Sequence, residues 1–172
     1  MTQVIKNKWH KNIVILSGGF DPVHIGHVRM FREASQLGHY VIVGLNSDDW
    51  LTRKKGKPFM PWEERKEILE SMRYINQVLP FDDSDDTACD LIRRVHSLYD
   101  GEEHEHNYSD LGHAGYTDYH DIYFANGGDR KVDNVPEVPV CKELDVTMLW
   151  GVGGGKIQSS SWLIGEKTSK KP

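Results

Sequence analysis

The chain has few cysteines, no long apolar run and no excess of basic residues, and each shortage excludes a class of protein. Its 172 residues include two cysteines, too few for a disulfide framework, which favours a reducing compartment. No stretch approaches the roughly 20 apolar residues of a membrane span, and residues 1–12 contain no apolar region of signal-peptide length. We therefore expect a cytoplasmic protein that does not enter a membrane.

The formal net charge of −5 comes from one segment of the chain. Residues 99–120 contain six acidic residues and no lysine or arginine, while the remainder carries 21 basic and 20 acidic residues. A nearly neutral body without a basic stripe argues against nucleic-acid binding.

The length indicates one domain over residues 1–172. The acidic segment 99–120 also holds four histidines and is too long for an ordinary connection, so we expect an insertion in that domain. A lid at the site edge is favoured over a metal site, because the histidine spacing matches no ligand pattern that we trust. Residues 166–172 are expected to be a frayed tail.

Apolar runs that alternate with helix-like segments predict a parallel sheet. Alternation with short connections is typical of an α/β fold with helices on both faces of the sheet. Residues 46–48 are predicted to open a short helix or turn, and residues 52–60 are predicted to form a loop. The predicted strands are 13–16, 40–45, 77–81, 122–125 and 146–150. The predicted helices are 25–37, 61–74, 85–98 and a last helix that begins near residues 159–161.

The stretch SGGFDPVHIGH, residues 17–27, connects the first predicted strand to the first predicted helix. Its two glycines let a ligand approach the backbone, and Pro22 stiffens the turn. His24 and His27 are three residues apart at the positive end of the helix, so both can face one point. Two imidazoles beside helix-terminal amides favour phosphate oxygens, although a single histidine there is more often part of a helix cap. The turns after strands one, four and five lie at the carboxyl edge of the sheet, where α/β proteins bind ligands.

GGFDPVHIGH resembles the signature of the cytidylyltransferase-like nucleotidyltransferase superfamily, which is a small residue, Phe-Asp and then His-x-Gly-His. Three further blocks are similar to that family in the right order: residues 53–80, the NGGDR turn after the fourth strand and KIQSSS at the last helix. The resemblance covers about residues 12–165 without the insertion. It implies a Rossmann-like, parallel five-stranded HxGH nucleotidyltransferase fold, usually in a homodimer.

The resemblance also implies roles for the matching residues. The histidines would hold the triphosphate and stabilise the transition state, and a loop lysine would reach the phosphates. The implied catalytic residues are His24, His27, Lys54 and Lys55. The implied nucleotide-binding residues are Gly18, Gly19, Phe20, Asp21, Asp129, Ser159, Ser160 and Ser161. The implied phosphate- or substrate-binding residues are Arg65, Lys57 and Lys156.

Structural alternatives stay open for several of these residues. The lysine loop could be a solvated turn, Asp129 could shape an Asx turn, and the serines could simply cap a helix. Two positions depart from the family pattern: Gly19 stands where a threonine is common, and Lys156 follows three glycines where an arginine is common. A lysine supplies a point charge in place of a bidentate fork.

The implied reaction is attack of a substrate phosphate on the α-phosphorus of a nucleoside triphosphate bound with Mg²⁺, with release of pyrophosphate. ERKEILESMRYINQVLP favours CTP and an alcohol phosphate such as glycerol 3-phosphate, which we prefer. RKKGKP and FDDSDDTACDLI favour ATP and a sugar phosphate of the heptose 1-phosphate type. Nicotinate mononucleotide adenylyltransferases fit less well, and a non-catalytic nucleotide-sensing domain stays an alternative. We expect no protein-held metal, nucleic acid or membrane partner.

Overall fold

The computed structural model describes residues 12–38, 40–99, 121–127 and 135–165. The strands in these ranges are β1 (Ile13–Gly18), β2 (Tyr40–Leu45), β3 (Gln77–Leu79), β4 (Ile122–Gly127) and β5 (Thr147–Val152). The helices are α1 (Ile25–Leu37), α2 (Asp48–Lys55), α3 (Trp62–Glu70), α4 (Cys89–Tyr99), α5 (Val138–Glu143) and α6 (Ser160–Leu163). All five strands are parallel and lie in one sheet in the order β3-β2-β1-β4-β5.

The sheet is covered on both faces, as the sequence predicts. On one face, Val14 of β1 belongs to the same buried cluster as Phe31 of α1, with α3 beside them. On the other face, Ile15 of β1 packs in a cluster with Leu91 of α4 and Cys141 of α5. Alternate residues of one strand thus enter opposite layers, which explains why the buried strands are continuously apolar.

The strand order reverses at β1. This strand pairs with β2 on one side and with β4, which comes much later in the chain, on the other. Such a switch point leaves a crevice at the carboxyl ends of the two diverging strands, and open α/β sheets bind ligands there. The fold therefore places the carboxyl ends of β1 and β4 beside a natural binding crevice.

The prediction of a loop over residues 52–60 is wrong for its first four residues, which belong to α2. The Ser47 hydroxyl accepts the backbone N–H of Trp50 and caps this helix, and Asp48 and Asp49 lie in its first turn. Gly56, with φ +86°, ends it. Lys54 and Lys55 are consequently fixed on the last turn of a helix, and Lys57 follows its end.

Two further helix boundaries differ from the prediction by four residues. Helix α3 ends at Glu70, four residues early, and the α5 helix was not predicted. Helix α4 begins at Cys89, four residues later than predicted. The carboxylates of Asp82 and Asp85 accept backbone N–H groups two residues ahead, and these Asx turns compete with a helix.

Some sequence predictions lie outside the described residues: residues 100–120 of the insertion, Asp129 and the tail 166–172. In the part that the structure describes, no helix is long and apolar enough to cross a membrane.

Candidate active site

A cavity of about 390 Å³ opens at the carboxyl edge of the sheet. The ends of β1, β4 and β5 form part of its wall, and the first residues of α1 and α6 complete it. The predicted site residues that line it are Gly18, Gly19, Phe20, His24, His27, Lys55, Lys156, Ser159, Ser160 and Ser161. Four others in the described ranges do not line it: Asp21, Lys54, Lys57 and Arg65.

His24 and His27 form a reciprocal cap at the start of α1. The Nδ1 atom of His24 accepts the backbone N–H of Gly26 at 3.1 Å. The Nδ1 atom of His27 accepts the backbone N–H of His24 at 3.3 Å. Because a neutral imidazole that accepts at Nδ1 carries its proton at Nε2, each ring keeps one N–H donor for another partner.

Both histidines are held in the neutral form. Burial and the nearby charges of Lys55 and Lys156 lower the pKa of His24. Burial, His24 and Lys55 lower the pKa of His27 to about 3. At pH 7 the two rings therefore offer hydrogen bonds without positive charge, and the cations of the cavity are lysines.

Two lysines that are far apart in the sequence line the cavity. Lys55 lines it from the end of α2, and its Nζ donates to the Asp21 carbonyl oxygen at 3.3 Å. Lys156 lines it from the segment after β5, with its Nζ 5.4 Å from the centroid of the Trp162 ring. Both charges lower the pKa of His24, which places them near that ring.

Lys54 and Lys57, which the resemblance implies as phosphate contacts, do not line the cavity. The Nζ of Lys54 lies 3.2 Å from the Asp86 carboxylate, outside the cavity. Neighbouring residues of a helix point about 100° apart, so the phase of α2 turns Lys54 away when it turns Lys55 inward. Lys57 is exposed and does not line the cavity either.

Arg65, which the resemblance implies as a phosphate- or substrate-binding residue, lies behind the β1–α1 turn and does not line the cavity. Its guanidinium is completely buried and donates to the carbonyl oxygens of Gly19 at 2.8 Å, Asn46 at 2.9 Å and Met60 at 3.1 Å. It also pairs with the Asp48 carboxylate at 2.6 Å. With its donors used in this way, Arg65 holds the ends of β1 and β2 together.

Asp21 likewise supports the turn instead of lining the cavity. Its buried carboxylate accepts the backbone N–H groups of Phe59 at 2.7 Å and Met60 at 2.8 Å. These two bonds and the Arg65 contact fasten the segment before α3 to the turn after β1.

The glycines of the turn satisfy packing as well as ligand access. A Cβ on Gly18 would lie 2.9 Å from the Phe20 ring, and one on Gly19 would lie 2.9 Å from Leu51. Phe20 has φ +47° and is buried, with its ring edge-to-face against His27 at 4.9 Å between centroids. The small residues thus allow Phe20 to reach under His27 and support its ring.

The serine block lies against the same turn. The Ser160 hydroxyl donates to the Pro22 carbonyl oxygen at 2.7 Å, and the Ser159 and Ser161 hydroxyls are 2.9 Å apart. The contact with Pro22 positions the start of α6 next to the histidine cap.

Asn126 is a cavity residue that the sequence reasoning missed. It is the last polar side chain of β4 before the glycines and is only 3% exposed. Its amide nitrogen Nδ2 is buried and has no hydrogen-bond partner among the described residues. The only signal in the sequence is an amide directly after the apolar residues of the fourth strand.

A family model described as cytidylyltransferase-like matches residues 15–144 of the chain. Over 79 residues, 46% of this chain, the sequence is 37% identical to glycerol-3-phosphate cytidylyltransferase of Bacillus subtilis. Over 87 residues, 49% of this chain, it is 39% identical to the bifunctional protein HldE of Sulfurimonas denitrificans. The matched segments span 61% of the first relative and 18% of the second.

Solved structures share the fold at low sequence identity. A lipopolysaccharide core biosynthesis protein of Thermoplasma volcanium superposes with a TM-score of 0.55 at 18% identity, covering 81% of this chain and 95% of that chain. A bifunctional NMN adenylyltransferase/ADP ribose pyrophosphatase of Francisella tularensis superposes with a TM-score of 0.56 at 16% identity, covering 88% of this chain and 40% of that chain. These likenesses support a nucleotidyltransferase-type Rossmann-like fold.

Proposed function

The chain belongs to the cytidylyltransferase-like family, and from this we propose that it transfers a nucleotidyl group from a nucleoside triphosphate to a small phosphorylated acceptor. An oxygen of the acceptor phosphate attacks the α-phosphorus, the bond from that phosphorus to the bridging oxygen breaks, and pyrophosphate leaves. The acceptor phosphate is already an anion, so the attack needs no general base. Negative charge develops on the α-phosphoryl oxygens and on the leaving group, and catalysis is mainly positioning and charge stabilisation.

The observation that carries this proposal is a pair of neutral imidazoles, each using Nδ1 as an acceptor and keeping its Nε2 donor, in a cavity that two lysines also line. In our proposal, His24 and His27 donate to the α-phosphoryl oxygens, where charge increases during the reaction. Lys55 stabilises the attacking or bridging oxygen. Lys156 and the serine block receive the outer phosphates of the leaving group.

Mg²⁺ is proposed to enter with the triphosphate. The described residues contain no group of three or more His, Cys, Asp or Glu side chains that could hold an ion. Phosphate oxygens are ligands that Mg²⁺ prefers, and the ion would neutralise part of the charge of the leaving pyrophosphate.

For the substrates, we propose CTP and an alcohol phosphate such as glycerol 3-phosphate. The similarity to the Bacillus subtilis cytidylyltransferase supports this choice. The comparable identity to HldE favours the second candidate, adenylyl transfer from ATP to a sugar phosphate. The two candidate reactions share one chemistry at the α-phosphorus. They differ in the nucleoside and in the phosphorylated acceptor that the protein recognises.

We also propose a homodimer, as the resemblance implies. Large apolar side chains on the described surface support it, among them Phe59 at 61% and Ile25 at 52% exposure. Size-exclusion chromatography with light scattering distinguishes one chain of 19.7 kDa from two.

The test is pyrophosphate release with CTP or ATP and Mg²⁺, in the presence of glycerol 3-phosphate or a sugar phosphate. We expect release with one nucleotide and one acceptor class, and a loss of about 10²-fold or more in His24→Ala. His96→Ala, on α4 and outside the cavity, is the matched control. Nucleotide binding without release for any acceptor would instead support a nucleotide-sensing domain.

A further inference from the structure

Asn126 combines deep burial with an unused donor at the edge of the cavity. Its side chain is 3% exposed, and Nδ2 has no hydrogen-bond partner in the described part of the chain. Buried amide groups in folded proteins are nearly always hydrogen-bonded, so an unpaired one calls for a specific explanation. Asn46, the other buried asparagine of these strand ends, follows the rule, since its Nδ2 donates to Asp83 at 3.0 Å.

The backbone around Asn126 is irregular at the same point. Asn126 pairs with Trp150 of β5, but the next residue, Gly127, pairs with Val152. Gly151 is therefore an extra residue on β5, and it has φ +69°. Bulges of this kind are frequent beside active sites, where they redirect a side chain or end strand pairing.

Within the described residues, the strand ends around Asn126 carry no charge. Ala125 and Gly127 flank it in β4, and β1 pairs with β4 so that Ile15 lies beside Phe124. Ser17, near the end of β1, and Asn126 both line the cavity beyond this last pair. The charged and phosphate-binding candidates lie elsewhere. The histidines lie at the start of α1, one lysine lies at the end of α2, and the other lysine and the serine block follow β5. The described strand ends at the switch point between β1 and β4 therefore offer neutral polar groups. Such groups suit the nucleoside part of a nucleotide, which is uncharged, better than its phosphates.

We propose that the Asn126 amide donates a hydrogen bond to an uncharged acceptor atom of the nucleoside, either a ribose hydroxyl or a base oxygen or nitrogen. Rotation about the terminal side-chain bond, which has a broad energy minimum, turns Nδ2 towards the cavity. The bound nucleoside then supplies the acceptor that the free protein lacks. This inference rests on the proposed function, and it makes Asn126 a residue for nucleoside recognition, separate from the phosphate-binding groups.

The experiment measures dissociation constants of CTP, ATP and inorganic tripolyphosphate, each with Mg²⁺, for wild type, Asn126→Leu and Asn126→Ala. We expect about tenfold weaker binding of the preferred nucleotide in both variants, the effect of one lost hydrogen bond. Tripolyphosphate has no nucleoside, so its binding should not change. The melting temperature of the free protein should stay level or rise in Asn126→Leu, because the unpaired donor is gone.

Asn46→Leu is the matched control. Its amide has a partner, so the same substitution should lower the melting temperature of the free protein. Equal losses for nucleotide and tripolyphosphate in the Asn126 variants would overturn the inference in favour of a phosphate contact. Unchanged nucleotide binding would overturn it as well.

A wild-type chain that binds neither CTP nor ATP would overturn the proposed function, and the inference with it, before any variant is compared. The 2′-deoxynucleotides identify the acceptor that supports the inference. If wild type discriminates between CTP and dCTP and the variants do not, the ribose hydroxyl is the partner. If the discrimination is unchanged while both bind more weakly, the base is the partner.

Discussion

The imidazole rings of His24 and His27 stack with their centroids 3.7 Å apart and their planes inclined by 21°. Two charged imidazoles at this distance would repel each other, and each Nδ1 is already an acceptor for a backbone N–H. Protonation of Nδ1 would remove one of these capping bonds. Stacking, capping and burial therefore all favour the neutral pair, whose remaining donors point away from the cap.

This arrangement predicts that the protein loses stability below about pH 6.5. The pKa of residue 27 is 6.5 without the environment of the fold and about 3 within it. Between these values the unfolded chain binds a proton that the folded chain does not, so the free energy of unfolding falls as the pH falls. One such proton changes the free energy of unfolding by at most about 1.4 kcal/mol per pH unit.

Urea unfolding at pH 7, 6 and 5 measures this dependence. His27→Asn, which keeps an acceptor for the cap, should have a shallower slope than wild type. An equal slope in wild type and His27→Asn would show that other groups cause the acid sensitivity.

A second prediction concerns the two lysines at the end of α2. Lys55→Met should lower kcat/KM by about 10²-fold or more, because Lys55 lines the cavity in which we propose that the reacting phosphates bind. Lys54→Met should cost much less, since that amine pairs with Asp86 outside the cavity. Lys142→Met, on the exposed side of α5, is the control for loss of one surface charge. Steady-state pyrophosphate release measures all three, and a larger loss for Lys54 would reverse the assignment.

The sheet could be predicted because its strands are buried on both faces, and apolar runs such as 40–45 mark such strands without further information. The start of α2 also has a signal, Ser47 followed by Asp48, which predicts a short helix or turn, but the extent of the helix through the basic run is not predicted. Which lysine faces the cavity depends on the phase of that helix, and therefore on where it begins. The buried position of Arg65 and the unpaired amide of Asn126 depend on contacts between distant segments, which spacing alone does not contain.

A third prediction concerns Arg65, whose replacement should destabilise the fold. Its removal leaves the carbonyl oxygens of Gly19 and Asn46 buried without this donor, at a cost of about 2–4 kcal/mol in total. The Asp48 carboxylate is 41% exposed, so the ion pair itself contributes little. Urea unfolding of Arg65→Met should show the loss, and Arg29→Met, on the exposed surface of α1, should not. Normal stability combined with lost nucleotide binding would make Arg65 a ligand-binding residue after all.

A fourth prediction separates two neighbouring glycines after β5. Gly153 has φ +87°, and a Cβ there would lie 2.8 Å from the Cα of Met30, a backbone atom of α1 that cannot move by itself. Gly153→Ala should therefore lower the free energy of unfolding by about 2–4 kcal/mol.

Gly154→Ala is the matched variant. Its φ is +77°, but a Cβ there meets no atom of the described residues within 4 Å, so only the backbone conformation costs about 1 kcal/mol. The difference between the two variants isolates the contact with α1. Gly153 also donates its N–H to Glu33 at 2.7 Å, and the chain continues from it to Lys156. Gly153→Ala should consequently displace Lys156 and reduce the nucleotide-induced rise in melting temperature. Equal effects of both variants would mean that packing against α1 does not position the segment from Gly153 to Lys156.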